Sequence, residues 1–190
     1  MLYDLVRRTR SYRRFNQEKE ISEKDLREMV DLARLGSSAA NRQPLKFLLS
    51  FTPEKNGRIF PHLRWAGYLS DWDGPEPGER PAGYVLILGD KEISDNVRWD
   101  QAIAAELIML GASEKGLGGC IFASIDREKL RGELNLPKRY DILLAVALGV
   151  PAEKVVIDEL EPGGNIEYYR DDRGVHHVPK RKLSDLVLDY

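Results

Sequence analysis

The chain has 190 residues, 42% of them hydrophobic, and a formal net charge of -2. That length suits one well-packed domain spanning residues 1–190, and the near balance of charge gives no overall attraction for nucleic acid or an anionic membrane. A single cysteine excludes an internal disulfide and fits a reducing cytoplasm, while no apolar run follows Met1 and none is long enough to cross a bilayer, so neither a secretory signal nor a membrane partner is expected.

Residues 2–8 read as a short amphipathic helix with Leu2, Leu5 and Val6 on one side. Its exit is basic: Arg10-Ser11-Tyr12-Arg13-Arg14-Phe15 sets guanidiniums and a hydroxyl close together, a combination suited to a phosphate. The plainer reading is a solvated basic segment. A nucleic-acid contact is the weaker one, because no second basic and aromatic stripe follows to track a backbone.

Ser22 with Asp25 forms a capping pattern, and Leu26, Met29, Val30 and Ala33 recur at helical spacing up to a stop at Gly36. The loop Ser37-Ser38-Ala39-Ala40-Asn41-Arg42-Gln43-Pro44 carries small side chains, hydroxyls and amides. Such a loop can hydrogen-bond a polar ligand at close approach, or simply turn the chain. A strand is expected over 46–51 and a short, interrupted helix over 53–63. Trp65, Tyr68 and Trp72 then cluster in an irregular stretch that runs into a Gly, Pro and acid-rich loop at 71–83. These aromatics either cover a ligand site or pack the loop onto the body.

The clearest buried strand spans 84–89. From Asp100 the chain reads as a long helix, apolar around most of its circumference, ended by the Gly116-Leu117-Gly118-Gly119 cluster. A helix with no face for water belongs in a core or between two subunits. A short buried strand, Cys120 to Ala123, is expected next, where glycine turns let bare backbone approach a flat ligand. A helix from Asp126 to Leu134, an apolar strand over 142–150, a turn at 168–174 and a last helix over 183–189 complete the expectation. Adjacent His176 and His177 on extended chain point to opposite sides, which argues against a joint metal site. Lys180-Arg181-Lys182 is either a solvated charge run or the second half of an anion site begun by Arg10 to Arg13. The irregular alternation of strands and helices points to an α+β layered domain.

Four stretches, taken in order, resemble the FMN-dependent nitroreductase family: Arg10-Ser11-x-Arg13-x-Phe15, Ser38-Ala39-x-Asn41-x-Gln43-Pro44, the Ala-rich helix into Gly116-Leu117-Gly118, and Pro179-Lys180-Arg181. The resemblance runs over nearly the whole chain. It implies an α+β fold with a mixed or antiparallel central sheet flanked by helices. It also implies a homodimer joined through the central helices, FMN at two interfacial sites, and reducing equivalents passed from NAD(P)H to a small organic acceptor such as a nitroaromatic, quinone or enone. A dehalogenase or flavin-remodelling enzyme of the same fold is the alternative. By position, Arg10, Ser11 and Arg13 would hold the phosphate and ribityl chain with Lys180, Arg181 or Lys182. Ser38 and Asn41 would come from the other subunit to the polar edge of the flavin, and Ser37 and Gln43 would also belong to the cofactor site. The segment Ile121, Phe122, Ala123 and Ser124 would pass along the ring and offer a backbone N–H, and Trp65, Tyr68 and Trp72 would form a substrate lid. No catalytic side chain is required, since the flavin carries the chemistry. Thr9, Ser37, Leu45 and Glu106 depart from the family's usual arginine, proline, tryptophan and glutamine, departures that bear on substrate choice.

Overall fold

The structure is a computed structural model and describes residues 1–97 and 99–189. The chain opens with helix α1 (Leu2–Arg8) and a two-residue strand β1 (Phe15–Asn16), followed by α2 (Glu23–Leu35). Ser22 caps α2 as expected, its hydroxyl oxygen accepting from the Asp25 N–H, and the helix buries Leu26, Met29 and Ala33. A 3-10 turn at Ala39–Asn41 leads into β2 (Leu45–Ser50), which is followed by α3 (Pro53–Ile59).

Strand β3 (Gly83–Asp90) is buried along its whole length. Tyr84, Leu86 and Leu88 belong to one core, while Val85 and Ile87 belong to another on the opposite face. Period-two alternation divides the side chains this way, and a strand covered on both faces reads as a continuous apolar run. Next come α4 (Asp100–Glu114), β4 (Gly118–Phe122), α5 (Arg127–Glu133) and β5 (Tyr140–Pro151). The main sheet runs β1, β5, β3, β2, with β4 also paired to β5, and every pairing is antiparallel. Helices α2 and α4 supply one core, and α3, α5 and the stretch around Leu63 and Trp65 the other, giving the helix, sheet, helix layering of an α+β fold.

A second sheet follows the last core strand. Strands β6 (Val155–Glu159) and β8 (His176–Lys180) pair in parallel, and β7 (Tyr169–Arg170) adds antiparallel to β8. The turn expected at 168–174 is therefore half strand, with only its second half turning, and β6 has no counterpart in the sequence reading. The helix expected over 183–189 is reduced to a 3-10 turn, Leu183–Asp185, with Leu183, Leu186, Val187 and Leu188 all exposed. So short a helix cannot persist without a surface for its apolar side chains, and one copy of the chain offers none.

The helix α4 differs from a fully covered rod. Ala104, Ala105, Ile108, Met109 and Ala112 are buried, whereas Ala102, Ile103 and Glu106 are exposed in one copy of the chain. Gly116, at φ 74°, supplies the left-handed turn after it. Gly118 and Gly119 serve differently, as residues of β4. A Cβ on Gly119 would lie 2.7 Å from Met109 Sδ and 2.8 Å from the Ala147 carbonyl oxygen, so packing alone demands glycine there. The strand thus starts two residues earlier than expected and ends before Ala123.

Candidate functional site

The basic exit of α1 lies along β4. Ser11 makes a parallel bridge to Gly119, and the Tyr12 N–H donates to the Gly119 carbonyl at 2.8 Å. The bare Gly118 before it permits this approach, since a Cβ there would lie 2.5 Å from Tyr12 Cδ2. Arg10 is half-buried; its Nη2 donates to the Val6 carbonyl at 2.7 Å, while its buried Nε finds no acceptor among the described residues. Beside it the Ser11 side chain is exposed.

Beyond Phe122 the chain leaves the sheet, with Ala123 and Ser124 exposed. Their carbonyls are taken, Ala123 by Arg127 Nη2 at 3.0 Å and Ser124 by the Arg64 N–H at 3.0 Å. Their own N–H groups have no acceptor among the described residues. Ile121 is half-open to solvent, while Phe122 turns inward and meets the Trp65 ring edge-on at 4.6 Å. Trp65 and Phe122 are thus core side chains. Trp72 meets Trp65 edge-on at 6.1 Å and Arg170 stacks over it at 4.2 Å, which leaves Tyr68, half exposed, as the most accessible of the three expected lid residues.

Arg13 is buried at 8% exposure. Its Nη1 donates to His176 Nε2 at 3.0 Å, and its guanidinium stacks over Tyr168 at 4.4 Å. Because an arginine only donates, His176 must carry its proton on Nδ1, where it is buried without a partner. Burial and the Arg13 charge push the His176 pKa down to about 4, so the ring is neutral at ordinary pH. Glu153 secures the same segment. Its Oε1 accepts the Arg13 and Arg14 backbone N–H groups and its Oε2 accepts Arg170 Nη2 at 3.1 Å. Glu153, Arg170 and Tyr168 carry no chemical signal in the sequence, and His176 stands out there only as a metal-ligand candidate, since their partners lie far along the chain.

The loop after α2 forms a second polar group. Ser38 Oγ donates to Asp100 Oδ2 at 2.5 Å, and the Ala39 N–H donates to Asp100 Oδ1 at 3.0 Å. The Gln43 N–H donates to Ser38 Oγ at 2.9 Å, and Gln43 Nε2 donates to Asn41 Oδ1 at 3.1 Å. Ala40, Asn41 and Gln43 all hold left-handed backbone, at φ 52°, 53° and 52°, a strain that only surrounding contacts can maintain. Ser37, Ser38, Gln43 and Asp100 border a cavity of about 160 Å³. Asp100, the first residue of α4, was missed as a functional group because an acid in a helix's first turn needs no further explanation.

One copy of the chain does not unite these groups. Gly119 pairs with Leu148, next to the Gly83 end of β3, whereas Pro44 closes the loop against Asp90 at the other end. Seven residues of strand separate those levels, roughly 23 Å. Lys180 to Lys182 stand apart from Arg13 as well: four residues of β8 separate Lys180 from His176, roughly 13 Å. Lys182 pairs with Glu159 at 3.3 Å and Glu161 at 3.4 Å, and Arg181 is exposed.

The groups present fit a phosphate-bearing flavin. An arginine with an unused buried donor and an exposed hydroxyl stand at one end of β4, two unpaired backbone N–H groups at the other, and a separate amide and hydroxyl cluster offers ring contacts.

The chain is 26% identical over 168 residues to the iodotyrosine deiodinase of Thermotoga neapolitana, covering 80% of this chain and 89% of that protein. Its fold superposes on an FMN-dependent nitroreductase of Clostridium difficile R20291 at a TM-score of 0.62, with 22% identity and 79% and 87% of the two chains covered. A nitroreductase family protein of Streptococcus pneumoniae TIGR4 covers all of both chains at a TM-score of 0.71 and 17% identity, so the second sheet too has a counterpart of known structure. The sequence pattern of the nitroreductase family matches residues 6–150, from α1 to the end of the last core strand, and the chain belongs to that family.

Proposed function

We propose that the protein is an FMN-dependent oxidoreductase that takes reducing equivalents from NAD(P)H and passes them to a small organic acceptor. It works as a cytoplasmic homodimer. The observation that carries this reading is the separation of two polar groups: Arg10 and Ser11 lie at the Gly119 level of the sheet, and the loop that carries Ser38 and Asn41 closes at the Asp90 level, roughly 23 Å away along the strands. A second copy supplying its own loop completes the site, and the exposed residues of α4, Ala102, Ile103 and Glu106, offer the seam.

When bound, FMN supplies the hydride and electron chemistry, and the protein contributes binding and orientation. Arg10 and the Ser11 hydroxyl bind the phosphate end, the Ala123 and Ser124 N–H groups face the ring, and Tyr68 borders the acceptor. Arg13 supports this region by holding the segment against Tyr168 and His176. Its burial also speaks against nucleic acid, because a stacked guanidinium is withdrawn from a phosphate backbone. Among the described residues no helix is long and apolar enough to cross a membrane.

The deiodinase relative supports a second reading, reductive dehalogenation of an aromatic acceptor at the same site. The purified protein should be yellow and bleach when NADH or NADPH is added without oxygen. Bleaching by dithionite but by neither nicotinamide, followed by halide release from a haloaromatic, selects the second reading. A colourless protein that takes up no added FMN overturns both.

A further inference from the structure

The hydrogen-bond directions in the loop after α2 carry information about what Ser38 can recognise. A serine hydroxyl has one proton and two acceptor positions. The Ser38 proton goes to Asp100 Oδ2 at 2.5 Å, and one acceptor position receives the Gln43 N–H at 2.9 Å. Asp100 is only 3% exposed and its carboxylate oxygens can only accept, so it cannot return a proton. Among the described residues one acceptor position on Ser38 Oγ remains unfilled, and no donor. Asn41 is biased the opposite way. Its Oδ1 receives Gln43 Nε2 at 3.1 Å and its backbone carbonyl receives the same nitrogen at 3.2 Å, while its Nδ2 has no acceptor among the described residues. Both residues are reachable, Asn41 exposed and Ser38 partly so beside the cavity of about 160 Å³.

We infer that Asp100 is a positioning residue that fixes Ser38 as an acceptor beside the Asn41 amide donor, so that the loop reads an imide edge, an N–H flanked by carbonyl oxygens, and rejects edges lacking the N–H. This inference rests on the flavin reading above: the flavin pyrimidine ring carries such an edge at N3–H and its two neighbouring carbonyls. Asp100 acts at a distance from the ligand by holding two donors at once. The Ala39 N–H on Oδ1 keeps the chain in the turn that leads into the left-handed Ala40 and Asn41, and the Ser38 hydroxyl on Oδ2 sets the polarity. An amide in its place presents a donor to one of these two donors. Ser38 must then rotate, and its free acceptor position is lost.

The test is binding of two flavins to apoprotein, followed by quenching of flavin fluorescence: FMN and FMN methylated at N3, which has no donor there. Wild type is expected to bind FMN about tenfold or more tightly than the methylated flavin, the range for one hydrogen bond left unmade at a buried polar group. Asp100→Asn should weaken FMN by a similar factor and leave the methylated flavin nearly unchanged, so that the preference collapses. Ser38→Ala, which leaves the Ala39 bond to Asp100 in place, should collapse the preference in the same way, and Ser38→Thr should restore it; this pair decides the matter if Asp100→Asn does not fold. Equal weakening of both flavins in these variants, or a wild type that binds both equally, overturns the assignment of Ser38 and Asp100 while leaving the flavin function intact. A wild type that binds neither flavin overturns the function itself.

Discussion

Arg10 and Arg13 show how two similar residues in one basic segment are given different tasks by burial. Arg10 keeps an unused donor beside an exposed serine, whereas Arg13 is enclosed by a histidine and a tyrosine. A charge-assisted hydrogen bond contributes about 1.5–3 kcal/mol, so Arg10→Ala should weaken FMN by roughly one to two decades. Riboflavin, which lacks the phosphate, should be affected much less, and the fold should be retained. Arg13→Ala is expected to act on stability first: loss of the stacked cation and of the bond to His176 should lower unfolding free energy by about 2–3 kcal/mol in urea titrations, because it leaves a cavity and the buried His176 ring without its donor. A variant Arg13→Ala with unchanged stability and selectively lost FMN affinity would return Arg13 to the phosphate.

At the scale of elements, the second sheet has its own fastening. His177 on β8 is bonded through Nδ1 to Asp158 on β6 at 2.8 Å and through Nε2 to Asp171 beyond β7 at 3.4 Å, and its ring stacks on Tyr169 at 4.7 Å. Both ring nitrogens can donate only when the imidazole is protonated. The hydrogen bond to Asp158, helped by Asp171, raises the His177 pKa above the usual 6.5. A raised folded-state pKa adds stability that is fully present below the unfolded value and is lost as pH climbs through the folded one. The stability advantage of the wild type over His177→Ala should therefore shrink as pH rises from 6 through 8, on top of a rising contribution from His176 that both proteins share because its pKa is lowered. The difference should be small because the His177 pair is partly solvated. An equal slope in both proteins would place the pH response elsewhere. Since Tyr168 of the same region packs tilted against Tyr68 at 5.0 Å, loosening the sheet should also loosen the 65–83 loop.

For the whole molecule, the exposed apolar surface is the decisive feature. Leu2, Val6, Leu35, Ile103, Leu186 and Leu188 are all exposed in one copy. Scattered surface leucines need no explanation, but apolar groups on α1, α2, α4 and the C-terminal end are what a second copy would cover in the proposed dimer. Sedimentation should give a mass about twice the 21.7 kDa chain. Ile103→Glu, a charge placed on the exposed side of α4, should shift the protein toward monomer and release FMN in parallel, because half of each site would leave with the partner. A monomeric Ile103→Glu that keeps FMN at wild-type affinity would overturn the shared site.

Much of the fold was legible in the residues themselves. The spacing of Leu26, Met29 and Ala33, the continuous apolar runs of β3 and β5, the capping at Ser22 and the left-handed turn at Gly116 are local signals, each contained within a few turns of helix or one strand. The order of four short motifs likewise pointed to the family that residues 6–150 match. What the residues could not show depends on partners far apart in the chain. Arg13 meets His176 across 163 positions, Glu153 takes the Arg13 N–H across 140, and Ser38 gives its proton to Asp100 across 62. No periodicity records such pairings, because a side chain's propensity is set by its neighbours in sequence while its hydrogen-bond role is set by whichever group the topology brings within 3 Å. The same holds for the end of the chain, where Leu183 to Leu188 carry enough apolar character for a helix. Whether they form one depends on a surface to pack against, and that is a property of the assembled molecule.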